Sequence, residues 1–140
     1  MRTTDQTMSD NLASFKISLD KFSNEIPEKF LKVQKKIILE AMSRVIEKSP
    51  VDTGRFRANW NTAVDTPDTS TSKVTDPSGE ISKQKCLQAL SGMNPYDVVH
   101  ISNNLDYART LENGRSDQAP DGMVAITIAE LEKFIREVVR

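Results

Sequence analysis

With 140 residues and a mass of 15.7 kDa, the chain is one domain's worth of polypeptide, which excludes a multi-domain machine. Its 19 basic side chains nearly balance 20 acidic ones, for a formal charge of −1, and this argues against a general binder of nucleic acid, whose affinity rests on clustered Lys and Arg. Leu, Ile, Val and Phe make up 34 residues, about a quarter of the chain and above the roughly 20% below which chains tend to stay disordered, so a core forms without help from disulfides or metal.

Residues 1–9 carry no periodicity and read as a flexible N-terminal arm. Leu12, Phe15, Leu19, Phe22 and Ile26 then alternate spacings of three and four, predicting an amphipathic helix capped by Asp10. Pro27 interrupts the pattern. Phe30, Val33, Ile37, Ala41 and Val45 resume it, thickened by Leu31, Ile38 and Met42, until Ser49-Pro50 ends it, because a residue before proline avoids the helical region. Two helices, or one helix kinked at Pro27, fit equally.

After the turn cluster 50–54 the period changes. Phe56, Ala58, Trp60, Thr62 and Val64 alternate with Arg55, Arg57, Asn59, Asn61 and Ala63, predicting a strand with one apolar face and a second face that is solvated, an interface or a channel lining. Residues 65–79, rich in Thr, Ser, Asp and Pro, read as a long exposed loop, with a third strand over 66–75 as the alternative. Asp76-Pro77-Ser78-Gly79 opens a short helix carrying Ile81, Leu87 and Leu90, with Asp76 as its cap, Pro77 in its first turn and Gly92 just past its end.

A second strand is predicted from Tyr96 to Ser102, with Val99 and Ile101 on one face and Val98 and His100 on the other. Asn103-Asn104 suits a turn. A short helix over 105–112 stops at Asn113-Gly114, and Val124, Ile128, Leu131, Ile135 and Val138 mark a last helix. The order predicts an α+β fold over residues 10–140: a small antiparallel sheet packed against N-terminal and C-terminal helices, with a long inserted loop.

Little in the sequence supports catalysis. It has no glycine-rich phosphate loop, paired-histidine helix or nucleophile elbow, and one Cys with one His exclude the usual zinc sites. Cys86 reads as a packing residue and His100 as a structural one. Asp52, Asp65 and Asp97 at strand ends offer a weak magnesium reading beside their commoner role in turns, so no cofactor or metal is expected. No apolar run approaches the ~18 residues of a membrane span, and the polar start at Met1-Arg2-Thr3-Thr4 lacks a leader pattern; the expectation is a cytosolic chain without membrane contact.

Five stretches stand out in order: Val51-Asp52-Thr53-Gly54-Arg55-Phe56-Arg57-Ala58-Asn59-Trp60, Asp76-Pro77-Ser78-Gly79, Ile101-Ser102-Asn103-Asn104-Leu105-Asp106-Tyr107-Ala108, Leu111-Glu112-Asn113-Gly114, and Gln118-Ala119-Pro120-Asp121-Gly122-Met123-Val124. Together they resemble the neck and tail-completion proteins of tailed bacteriophages, over roughly residues 27–140. The resemblance implies a non-catalytic virion protein, assembled in the host cytoplasm into a six-fold or twelve-fold homo-oligomeric ring. Its neighbours would be a head connector or stopper protein on one side and a tail terminator or tail-tube protein on the other, with DNA passing through and no sequence-specific binding.

Under that resemblance Arg55 and Arg57 meet a neighbouring subunit or the DNA channel, and Arg115, Ser116, Asp117 and Gln118 form a subunit or tail contact. Asp52, Gly54, Trp60, Asn104, Tyr107, Glu112 and Gly114 make the supporting frame. Three alternatives remain: a tail terminator capping the tube, a small nucleic-acid-binding regulatory protein using the Arg55/Arg57 face, and an enzyme built on Asp52, Asp97, His100 and Cys86.

Overall fold

The structure, a computed structural model, describes residues 27–139. The arm 1–9 and the helix expected over 12–26 lie outside the described residues. Helix α1, Pro27–Lys48, buries Phe30, Val33, Met42, Val45 and Ile46. Its buried line drifts from the predicted stripe, leaving Ile37 and Ala41 half-buried, because α1 faces two different partners along its length. Ser49 closes the helix: its hydroxyl donates to Val45 O and accepts from Trp60 Nε1 at 2.8 Å.

The strand predicted over 55–64 is shorter than the alternation suggested. Arg55–Ala58 is one helical turn, α2, and only Trp60–Val64 is strand, β1. The turn is set by Gly54, whose φ of 89° lies in the left-handed region; a Cβ there would run into the backbone of Pro77. Gly54 O then accepts from both Ala58 N (3.1 Å) and Asp76 N (3.0 Å). Over four residues a period of two cannot be told from a period of 3.6 when both sides are covered. Phe56 and Ala58 are both buried in the turn.

Strand β2, Val99–Asn103, pairs antiparallel with β1, Trp60 opposite Asn103 and Val64 opposite Val99. Between them α3, Glu80–Ser91, packs on β1 and α1. Asp76 serves its start: Oδ2 accepts from Ile81 N at 2.8 Å and Oδ1 from Ser78 N at 3.1 Å. Pro77 therefore sits in the turn ahead of the helix, not in its first turn.

Helix α4, Ala108–Glu112, is short, and α5, Val124–Val138, lies along α1. Polar ties line that seam: Arg44 Nε meets Glu40 (2.8 Å), Arg44 Nη1 meets Glu130 (3.1 Å), and Lys48 pairs with Glu130. The Lys48 hydrogen bond, joined by the charges of Lys48 and Arg44, holds the Glu130 carboxyl below its ordinary value.

The core gathers around Trp60, with Phe56 edge-on at 5.7 Å. Met42 and Ile46 come from α1, Cys86 and Leu90 from α3, and Leu105, Ala119 and Met123 from the C-terminal third. Each such large apolar side chain contributes on the order of 1.5–3 kcal/mol when buried. The architecture is α+β, with helices covering a two-stranded antiparallel sheet. No described helix is long and apolar enough to cross a membrane.

Candidate functional site

Two loops 67 residues apart meet at one edge of the molecule. Val51 N donates to Gln118 Oε1 at 2.8 Å, and Gln118 Nε2 donates to Val51 O at 3.1 Å. An amide side chain carries a donor and an acceptor in the geometry of a peptide group, so Gln118 pairs with Val51 as a strand neighbour would. Between the loops opens a cleft of about 400 Å³, lined among others by Asp52, Gly54, Arg55, Tyr107, Ser116 and Gln118. Tyr107, 36% exposed, leans on Phe56 with ring centroids 5.9 Å apart.

The loop on the far side is fixed at both ends. Gly114 N donates to Leu111 O at 3.0 Å, and its φ of 86° is left-handed; a Cβ would strike the carbonyl of Pro120. Glu112 folds over the start of α5, its carboxylate accepting from the amides of Met123 (2.8 Å), Val124 (2.7 Å) and Ala125 (3.3 Å). That charge sits at the positive end of the helix dipole, where it is favourable. Arg115 and Asp117 are exposed, whereas Trp60 lies in the core.

The polar face of the first strand is not solvated. Asn59 and Asn61 are only 2% and 5% exposed, because residues 65–76 turn back and lie over them as a strap. Asp68 O accepts from Ser102 Oγ (3.0 Å) and Asn104 Nδ2 (2.7 Å). Ser70 O accepts from Asn61 Nδ2 and Asn104 Nδ2, both at 3.1 Å. Ser72 O accepts from Asn59 Nδ2 and Arg55 Nε, both at 3.0 Å, and Ser72 N donates to Asn59 Oδ1 at 2.8 Å. Side-chain amides thus take the place of ladder bonds, and the third strand considered over 66–75 does not form.

Arg57 is equally engaged. Its Nε, Nη1 and Nη2 donate to Ser49 O (3.1 Å), Pro77 O (3.0 Å) and Glu47 O (3.2 Å). Two of those carbonyls belong to the end of α1, where a cation is favoured.

Outside the Arg44–Lys48–Glu130 cluster on the α1–α5 seam, the candidate titratable groups lie apart. Asp68 and Asp76 lie below the usual carboxylate range, the first through hydrogen bonds from Ser70 and the second through those from the Ile81 amide and Ser78. Burial pushes the Cys86 thiol up. Cys86 meets Thr62, while His100 stands opposite Ala63 and lies 3.1 Å from Asp65 O. Neighbouring residues of a strand point to opposite faces, so the sheet separates Cys86 from His100. Asp97 accepts from Asn94 N at 2.8 Å in its own turn. Among the described residues no group of three or more His, Cys, Asp or Glu side chains is placed to hold a metal ion.

The arrangement does structural chemistry: it fixes two polar loops at an exposed edge and straps a sheet face. Sequence reading missed the fasteners Asn59 and Asn61 and the pairing of Gln118 with Val51. The available signal was amides two residues apart, one just before β1 and one on it, followed by a Ser/Thr run with backbone to pair. Comparison of the chain with protein-family models, curated proteins and solved structures finds no match.

Proposed function

We propose that the chain is a non-catalytic structural protein of the bacteriophage neck, assembling as a homo-oligomeric ring between head connector and tail. The observation that carries the reading is the two-way bond of Gln118 with Val51. It joins the first and last of the five stretches on which the resemblance rests, and forms from them one exposed ledge with fixed backbone. A pre-fixed surface docks without the ordering cost of a loose one.

The mechanism in this reading is mechanical. One patch on each subunit meets a different patch on the next, and the rotation between them closes a ring. DNA passes through without sequence-specific contact, for which a net charge of −1 is suited because it gives no strong hold on phosphates.

The test is mass by light scattering on the purified chain, with negative-stain images of that sample and of virions lacking the protein. Rings, or filled heads beside unjoined tails, support the reading. Intact infectious particles without the protein overturn it. Arg115→Glu changes an exposed side chain whose backbone alone is bonded, to Thr110 O at 3.3 Å. Its expected result is an unchanged melting temperature with reduced virion yield; normal yield removes the ledge as a contact.

A further inference from the structure

The strap has two edges, and only one is paired. From residue 67 to residue 76 the chain runs without a bend, and in an extended chain successive residues direct their amide and carbonyl groups to opposite sides. The even-numbered residues 68, 70 and 72 direct carbonyls onto the sheet face. Among the described residues Thr69, Thr71, Lys73 and Thr75 make no hydrogen bond, and all four are exposed. The strap is therefore a pre-extended segment, fastened along one side and open along the other for about 20 Å.

A second open edge lies on β2, which among the described residues pairs only with β1. Asp65 N donates to Val98 O at 2.7 Å; because bonded and non-bonded pairs alternate in an antiparallel ladder, Val99, Ile101 and Asn103 turn their backbone groups outward. Beside this edge is a mainly apolar groove of about 190 Å³, with Phe56, Trp60, Met123 and the 40% exposed Val124 in its lining. The strap carries one apolar side chain, Val74, and it is 49% exposed.

We infer that the outer edge of the strap is received by the outer edge of β2 on a second copy of this chain, with Val74 seated in the groove beside it. Each copy offers both halves, an extended segment that lacks a neighbour and a sheet edge of similar length with an apolar seat. Pairing unlike patches is head-to-tail and closes rings. Lys73, on the outer edge, keeps the free chain from indiscriminate strand pairing. The choice of a second copy as partner rests on the ring reading above.

The experiment uses the full chain in a concentration series by light scattering, with melting curves as a check of folding. Thr71→Pro removes an amide that bonds nothing within the chain. Val99→Pro removes an outward amide at the first residue of a strand, a tolerated proline site. Val74→Asp leaves the backbone intact and changes only an exposed side chain, so it keeps the test open if either proline variant fails to fold. Each variant is expected to raise the concentration at half-association roughly tenfold or more. Mixing Thr71→Pro with Val99→Pro restores one junction and gives a mass that stops at two chains.

A wild-type chain that stays monomeric to millimolar concentration overturns the inference, as does normal association of Thr71→Pro and Val74→Asp. So does self-association of Val99→Pro at wild-type strength, because the strap then pairs with another strap. All of these are read on the isolated chain. Virions that form without the protein overturn the neck reading and leave this junction standing.

Discussion

Residues 65–79 and residues 113–123 are both rich in turn-forming polar residues, yet they are fastened differently. The later loop places Ala119 and Met123 in the core, at 4% and 1% exposure, and so adds apolar burial to its Gln118 and Glu112 bonds. The earlier stretch buries no apolar side chain and is held by amides, a hydroxyl and two guanidiniums that belong to other segments. A buried anchor resists opening through the cavity it would leave. An amide clasp resists through groups that would lose their partners, and an open strap can exchange those partners for water.

That contrast is broken most severely at Met123. Met123→Ala is expected to cost about 2–5 kcal/mol, seen as a lower urea midpoint for the whole domain. Asn59→Ala is expected to cost about 1–3 kcal/mol, with faster hydrogen exchange and proteolysis confined to the strap; global unfolding as large as that of Met123→Ala would erase the distinction. Glu112→Gln keeps one acceptor oxygen for the Met123 and Val124 amides but loses the second, on Ala125, and removes the charge over α5, for about 0.3–1 kcal/mol, readable as a small drop in thermal midpoint.

The smallest effect is in pH. Asp68 and Asp76 titrate below their ordinary value when folded, so their contribution is fully present above the unfolded value and is lost as pH falls through the folded one. Acid should loosen the strap and the start of α3 first, and Asp68→Asn should flatten that slope. The later loop gains no comparable acid sensitivity from Ala119 and Met123, and exchange measured at both loops in one titration sharpens the contrast.

The same contrast explains what was readable in the sequence. Phe30 to Val45, Ile128 to Val138 and Val99 with Ile101 announce themselves because apolar burial leaves a period in the residue order, although Val124, first of the last predicted stripe, is exposed. The α+β class and antiparallel pairing follow from them. Asn59 and Asn61 resemble solvated residues, since nothing local says that a segment ten residues later returns to cover them. Arg55–Ala58 misleads for another reason: Phe56 and Ala58 satisfy a strand pattern within a single helical turn. Gln118 pairs with a backbone rather than a side chain, and a backbone has no residue type to recognise.

Arg57 carries a further consequence. Its three donor nitrogens reach carbonyls in the end of α1 and in the turn before α3, so the guanidinium works as a three-way joint. A lysine ammonium is a point with no planar fork and cannot span the same three oxygens. Conservative exchange at this position therefore loosens the scaffold, and an assembly defect in Arg57→Lys accompanied by a lower melting temperature reports on that joint. Arg115, exposed on the opposing loop, is the cationic position at which a charge reversal speaks to docking.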